Sequence, residues 1–113
     1  MDCVLCEIVS GKEPAELLCD ADDWLAIAPL RKISPVHFFL FPRVHFENLH
    51  AYLKSAPGNA GGLMQWAADI AESLELHEFG YRLTWNFGPA TNQSVLHPHL
   101  HLLGGKQLRD ELA

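Results

Sequence analysis

The feature that most constrains this chain is the run HPHLHLL at residues 97–103. Alternate residues of a β-strand point to the same face of its sheet. The run therefore predicts a strand over 98–103, with His97, His99 and His101 on one face and Leu100 and Leu102 in the core. Alternate residues lie about 6.6–7 Å apart, so the outer imidazoles would stand about 13 Å apart. Because Zn–N bonds are about 2.0–2.1 Å, one metal ion cannot bind all three.

Two kinds of chemistry remain open for these histidines. A pair of them could share a metal ion, or one imidazole could act as a nucleophile toward phosphorus. A neutral imidazole is nucleophilic when its other nitrogen is held by an acceptor. The loop at 86–94 is rich in small and amide residues. It could offer backbone N–H groups, the Gln93 amide and the Ser94 hydroxyl to an anionic substrate.

The rest of the sequence predicts one α+β domain over residues 1–113, since this length suits a single core. Five strands are predicted at 15–19, 24–30, 36–41, 81–87 and 98–103, joined as an antiparallel sheet. A long helix over 61–79 is predicted from apolar residues at 63, 67, 70 and 74, which recur at helical spacing. A short helix is predicted over 46–53, stopped by Pro57 and Gly58.

Composition narrows the partners and the compartment. The chain has 8 Lys and Arg residues against 14 Asp and Glu residues and no basic run, which disfavours nucleic acid binding. The apolar stretch at 36–41 is far too short to span a membrane. Three cysteines without a secretory leader favour a reducing cytoplasm over a disulfide scaffold. A second subunit could cover what one long helix leaves exposed on the sheet, although these patterns alone do not predict a homodimer.

At this point the sequence resembles the histidine-triad (HIT) family, in particular its Hint-like branch. HPHLHLL at 97–103 matches the motif H-φ-H-φ-H-φ-φ, and ISPVHFFLFP at 33–42 resembles the strand that precedes the family's I-P-K segment. QSV at 93–95 resembles G-Q-S-V, and CVLC at 3–6 resembles C-x-F-C. The resemblance implies a five-stranded antiparallel sheet with two helices, usually in a homodimer. It also implies hydrolysis or transfer of a nucleoside monophosphate linked to an amine, a phosphate or an acyl-type leaving group.

The resemblance also implies a role for each catalytic position. His99 would be the nucleophile that forms a nucleotidyl-imidazole intermediate, and a backbone carbonyl near His97 would fix its tautomer. His101 and Gln93 would contact the phosphate, and Ser94 would hydrogen-bond the leaving group. Water would then release the nucleoside monophosphate, and no cofactor would be required for this chemistry.

Further positions would bind the nucleotide. The resemblance places His37 in a proton relay beside the triad and Asn86 close to the ribose and phosphate. The apolar wall of the nucleoside pocket is expected from five residues: Val4, Leu5, Ile8, Ile27 and Leu30.

Four positions depart from the family pattern. Pro29 stands where an acidic residue holds the ribose hydroxyls, and Ile27 takes the aromatic slot before it. Glu13 replaces an apolar residue that faces the base, and Asn92 replaces the glycine before Gln93. These changes predict an altered nucleoside site. They also motivate an alternative function, a nucleotide-binding or scaffolding protein whose catalysis is weak or vestigial.

Cys3 and Cys6 have the spacing of zinc ligands. The zinc-bearing relatives of the family imply His45 and His97 as the other two ligands, which would make a closed structural site. The alternative is that both cysteines are free thiols near a terminus. Metal-assisted hydrolysis, with zinc on a histidine pair and an open position for water, is a third hypothesis for the function.

Overall fold

The computed structural model describes residues 3–93 and 95–110, which form a five-stranded sheet with three helices. The strands are β1 (Glu16–Asp20), β2 (Trp24–Ala28), β3 (Val36–Pro42), β4 (Arg82–Trp85) and β5 (Leu100–Gly104). The helices are α1 (Val4–Ser10), α2 (Leu49–Ser55) and α3 (Pro57–Ser73), and Pro89–Thr91 forms a 3-10 turn. The strand order is β1-β2-β3-β5-β4, and every pair is antiparallel. The predicted α+β class and five-stranded sheet are confirmed.

Helix α1 was not predicted, so the expectation of two helices was wrong. The Sγ atom of Cys3 caps its first turn by accepting a hydrogen bond from the N–H of Cys6 at 3.4 Å. Gly11 ends the helix at φ 84°, a left-handed conformation that favours glycine. A helix of seven residues is too short for a clear periodic pattern, and the glycine was its main signal.

The predicted boundaries of α2 and α3 were also wrong. Asn48 caps α2, since its side chain accepts from the N–H of Ala51 at 2.8 Å. Pro57 then begins α3, because a proline at the first helical position lacks an N–H that would be unsatisfied there anyway. Pro57 does separate the two helices as predicted, but as the start of one of them.

Helix α3 ends at Ser73, well before residue 79. Glu75 takes the left-handed conformation at φ 60°, and its N–H donates to the carbonyl of Glu72 at 2.9 Å. The N–H of Leu76 donates to the carbonyl of Ala71 at 3.0 Å. These two bonds form a Schellman motif, which most often has glycine in the place of Glu75. The missing glycine hid this helix end from the sequence.

The strand boundaries shift by a few residues from the predictions. β2 ends at Ala28 because Pro29 has no N–H to donate to a neighbouring strand. β5 begins at Leu100, so His97 and His99 precede the strand and His101 lies on it. Leu100 and Leu102 are fully buried in the core beneath α3, as predicted.

The two edges of the sheet are β1 and β4. Exposed phenylalanines, Phe79 and Phe87, lie on either side of β4 along the chain. The homodimer stays a prediction. No helix within the described part of the chain is long and apolar enough to cross a membrane.

Helix α3 packs tightly against Trp24 of β2 at Gly62. A Cβ atom there would lie 2.7 Å from Cζ2 of Trp24, whose Nε1–H is held by Asn59 at 2.9 Å. We expect Gly62→Ala to lower the free energy of unfolding by about 1–3 kcal/mol, because the indole must move. Gly61→Ala is the matched control on the same helix, since nothing lies within 4 Å of its Cβ position.

Urea unfolding of both variants tests this packing. Gly61→Ala should raise the free energy of unfolding by about 0.5–1 kcal/mol, through helix propensity alone. A gain of the same size in Gly62→Ala would contradict the close contact with Trp24.

Candidate active site and metal centre

His99 has the tautomer that a nucleophile requires. Its Nδ1 lies 2.8 Å from the backbone carbonyl oxygen of His97. Because a carbonyl oxygen can only accept, Nδ1 carries the proton and Nε2 keeps its lone pair. Burial lowers the pKa of His99, against an opposing effect of this hydrogen bond. The imidazole is therefore neutral at pH 7, with Nε2 available to attack.

His37 and His101 form a second hydrogen-bonded pair beside it. The N–H of Ile33 donates to Nδ1 of His37 at 3.1 Å, which places the His37 proton on Nε2. Nε2 in turn lies 3.1 Å from Nδ1 of His101 and donates to it. The remaining proton of His101 is then on Nε2, where it can donate to a ligand.

Both of these imidazoles are neutral at pH 7. Burial, followed by the charges of His99 and His37, lowers the pKa of His101 to about 4. Burial and the charge of Lys32 lower the pKa of His37. The hydrogen bonds from Ile33 to His37 and from His37 to His101 fix the tautomer of each neutral ring.

The ring of His97 makes its hydrogen bonds outside this pair. Its Nε2–H donates to the carbonyl of Pro42 at 2.8 Å, so Nδ1 carries a lone pair. Burial lowers the pKa of His97 to about 4, although the bond to Pro42 opposes the shift. His97 thus has two separate contacts: its backbone orients His99, and its ring presents Nδ1 to a cluster of cysteine and histidine side chains.

That cluster consists of Cys3, Cys6, His45 and His97, as the resemblance implied. Nδ1 of His97 lies 3.4 Å from Sγ of Cys3, 3.6 Å from Sγ of Cys6 and 3.2 Å from Nδ1 of His45. Sγ of Cys6 lies 3.4 Å from Nδ1 of His45, and all four atoms lie within 4.8 Å of one another. Ligand atoms of a tetrahedral Zn²⁺ site are about 3.3–3.8 Å apart. The spacing and the donor types therefore fit a Cys₂His₂ metal centre.

The thiol of Cys6 must lose its proton to bind a metal ion. Burial and the neighbouring Cys3 raise the pKa of Cys6 to about 11, so the thiol is protonated at neutral pH without a cation. A bound metal ion supplies the positive charge that holds such a sulfur as thiolate.

Two cavities meet at His99. The first has a volume of about 790 Å³ and is mainly apolar. The structure brings all five residues of the predicted apolar wall to this cavity: Val4, Leu5, Ile8, Ile27 and Leu30. Glu13 and Pro29 also line it, and Pro29 offers no side-chain acceptor for a ribose hydroxyl.

The second cavity has a volume of about 600 Å³, and polar groups form a larger share of its lining than in the first. The first is called the apolar cavity and the second the polar cavity. The lining of the polar cavity includes His37, His101, Asn86 and Gln93, all of which were predicted as site residues, together with Thr91 and Asn92. Four residues line both cavities: Arg31, Phe39, Val95 and His99. His99 therefore lies where a ligand could extend from one cavity into the other.

The loop before the triad is held together by Gln93. Its Oε1 accepts from the N–H of Gly88 at 2.8 Å, and its Nε2 donates to the carbonyl of Val95 at 2.9 Å. The second N–H of the Gln93 amide has no partner among the described residues and can donate to a phosphate oxygen. Ser94 lies outside the described residues, so its predicted contact with a leaving group stays a prediction.

The structure adds site residues that the sequence did not reveal. Phe39 contacts the rings of His99 and His101, with centroids 5.0 and 4.8 Å away. Phe39 lies two residues after His37 on β3, so strand alternation could have predicted that both side chains face the triad. Phe41, two residues further, contacts His97 at 5.5 Å, which confirms that the three histidines share one face. No signal in the sequence pointed to Arg31.

Comparisons with known proteins identify the family of this chain. A family model described as the HIT domain matches residues 10–108. The chain belongs to the HIT family. An uncharacterized HIT-like protein from Rickettsia prowazekii is 30% identical over 106 residues, which cover 93% of this chain and 88% of that protein.

Solved structures of the HIT family share the fold. A HIT family hydrolase from Legionella pneumophila superposes with a TM-score of 0.92 at 30% identity, covering 96% of this chain and 97% of that one. A Zn-bound histidine triad family protein from Mycobacterium smegmatis gives a TM-score of 0.82 at 30% identity, covering 100% and 81%. The predicted HIT fold is confirmed, and the Hint-like branch stays a prediction.

The neutral state of His101 makes folding sensitive to acid. Its pKa in the folded protein is about 4, whereas a free histidine titrates near about 6.5. Between these values the unfolded chain binds a proton that the folded chain does not, so stability falls as pH drops below about 6.5 and levels off below about 4.

Urea unfolding of the wild type and His101→Gln at pH 7 and pH 5 checks this linkage. After allowance for solvent screening, the wild type should lose about 1–2 kcal/mol more than His101→Gln over this interval. Equal losses in the two proteins would contradict the neutral, buried state of His101.

Proposed function

We propose that this protein is a nucleotide hydrolase or transferase. Its substrate is a nucleoside phosphoramidate or a related nucleotidyl-linked compound, and it acts through a covalent nucleotidyl-histidine intermediate on His99. The observation that carries the proposal is the tautomer of His99, set by the 2.8 Å bond from Nδ1 to the His97 carbonyl at the junction of two cavities.

In the first step, Nε2 of His99 attacks the phosphorus of the bound substrate. A P–Nε2 bond forms, and the bond from phosphorus to the leaving group breaks. The leaving group departs with the electron pair and gains a proton from water. The imidazole ring becomes positively charged, and the carbonyl of His97 stabilises that charge through Nδ1–H.

In the second step, water attacks the same phosphorus and the P–Nε2 bond breaks. The electron pair returns to Nε2 of His99, and the proton of the water passes to solvent. Nε2–H of His101 donates to a phosphoryl oxygen during both steps, and His37 holds the tautomer that makes this possible. The free N–H of the Gln93 amide and the Asn86 side chain face the same cavity and support the developing charge.

The decisive variant is His99→Ala, with His50→Ala as its matched control. His50 is exposed on α2, so its loss should leave the rate unchanged. We expect His99→Ala to lower the release of nucleoside monophosphate from an adenosine or guanosine phosphoramidate by at least about 10³-fold, because the nucleophile is lost. Turnover near the wild-type rate in folded His99→Ala would contradict the proposal.

A second candidate function is a nucleotide-binding or scaffolding HIT protein with weak or vestigial catalysis. It is favoured by Pro29, which lines the apolar cavity without an acceptor for the ribose. Calorimetric binding of a nucleoside monophosphate, combined with no monophosphate release by the wild type, would favour this candidate.

We also propose that Cys3, Cys6, His45 and His97 bind a structural zinc ion. The ligand spacing within 4.8 Å supports it, and so does the zinc-bound relative from Mycobacterium smegmatis. A bound zinc ion would link Cys3 and Cys6 at the start of α1 to His97. The carbonyl of His97 in turn orients His99. The four side chains complete a tetrahedral set, so this centre has no open position for metal-assisted hydrolysis.

Metal analysis and thermal unfolding test this assignment. Wild type should bind one zinc ion per chain, and Cys6→Ala should lose it with a lower Tm, since structural zinc adds directly to folding stability. Cys19→Ala is the control, because Cys19 belongs to β1 and lies outside the cluster. Zinc retained in full by Cys6→Ala would contradict the site. Chelation that abolished turnover of a still folded protein would favour the metal-assisted hypothesis.

A further inference from the structure

The polar cavity differs in charge from the protein around it. The chain has a formal net charge of −6. No acidic side chain is among the described residues that line this cavity, and Arg31 is the one permanently charged side chain there. The cavity is therefore locally positive in an acidic protein, which suits an anionic ligand.

Arg31 is placed to bind such a ligand. It belongs to the loop between β2 and β3 and lines both cavities together with His99. Within the described part of the chain, no hydrogen bond or ion pair engages its guanidinium group. A guanidinium can bind a carboxylate or a phosphate through two parallel hydrogen bonds. Its neighbour Lys32 lines the apolar cavity but not the polar one. Nζ of Lys32 lies 5.9 Å from the ring centroid of Phe38.

The other polar groups of this cavity are neutral, so no described residue that lines it carries a negative charge beside Arg31, whereas Glu13 and Glu16 line the apolar cavity. The neutral groups include the side chains of Asn86 and Asn92. Asn92 adopts φ 61°, a left-handed conformation in which asparagine is tolerated better than most residues. A glycine at this position would leave the cavity without that amide. Asn92 therefore adds a hydrogen-bonding group to the cavity that Arg31 lines, without adding charge.

We propose that the polar cavity binds the leaving group and that Arg31 selects substrates whose leaving group is anionic. This inference rests on the proposed function, which places the reacting phosphorus at His99. The flat aromatic faces of a nucleoside base fit the apolar cavity, so the part of the substrate beyond the phosphorus occupies the polar one. There the carboxylate or phosphate of the departing group meets the guanidinium of Arg31.

A matched pair of substrates isolates the charge. Adenosine phosphoramidates of glycine and of glycinamide have leaving amines of nearly equal size that differ by one negative charge. We expect Arg31→Gln to lower the ratio of kcat/KM for the glycine conjugate to that for the glycinamide conjugate by about tenfold, as for loss of one charge-assisted hydrogen-bonded pair. The intrinsic reactivities of the two amines cancel, because this ratio is compared between proteins.

Lys32→Gln is the matched control, since it removes the same charge from the same loop outside the polar cavity. It should leave the ratio at the wild-type value, whatever it does to the two rates together. An unchanged ratio in Arg31→Gln overturns the inference. An equal loss on both substrates also overturns it, because Arg31 would then act on the transferred phosphoryl group.

Binding to His99→Ala separates this inference from the proposed function. By calorimetry, His99→Ala should bind the glycine conjugate more tightly than the glycinamide conjugate, and adding Arg31→Gln should remove the difference. A charge preference in binding without turnover by the wild type contradicts the proposed function alone. Turnover without any charge preference contradicts the role of Arg31 alone, and failure to bind either conjugate contradicts both.

Discussion

The hydrogen bond from Nδ1 of His99 to the carbonyl oxygen of His97 is the interaction on which the chemistry of this site depends. It spans two residues of one chain segment, so its geometry follows the position of His97. His97 is in turn held by its own ring, through Nε2–H to Pro42 and through Nδ1 to the cysteine and histidine cluster. The imidazole of His99, the proposed nucleophile, is thus oriented by a backbone atom that a buried side chain fixes in place.

The charge state of the site follows from burial. The imidazoles of His37, His99 and His101 lie together. Protonating all three would place like charges side by side in a partly buried site. Burial lowers the pKa values of His37 and His101, and hydrogen bonds assign each remaining proton. A neutral network can then bind an anionic group by donating from His101, while Arg31 supplies the permanent positive charge. These short-range groups can attract an anion to the site although the net charge of the protein, −6, repels anions at long range.

Much of the fold was accessible from the sequence. The alternation HPHLHLL predicted the buried leucines of β5 and a shared face for three histidines, and the structure confirms both. It did not reveal that the strand begins only at Leu100. Helix ends escaped prediction where an unusual residue takes a terminal position, as Cys3 does at the start of α1 and Glu75 does just past the end of α3. Such caps depend on tertiary context, which local residue preferences do not contain.

The candidate site was predicted unevenly for a similar reason. His97, His99 and His101 form a recognisable pattern, and the resemblance supplied His37, His45 and the cysteine pair. Arg31 belongs to a loop with no motif, and it reaches the site only because β2 and β3 pair and carry that loop beside His99. The departures at Pro29 and Asn92 were visible as sequence differences. Their effects on ligand binding could be inferred only from the structure, in which Pro29 lines the apolar cavity and Asn92 lines the polar one.

The configuration at phosphorus is the most direct test of the central claim, that His99 forms a covalent intermediate. A nucleoside phosphorothioamidate of one configuration would be hydrolysed in isotopically labelled water and the product analysed for its configuration. Two successive in-line displacements, first by His99 and then by water, predict overall retention. Inversion would show a single direct attack by water and would contradict the account.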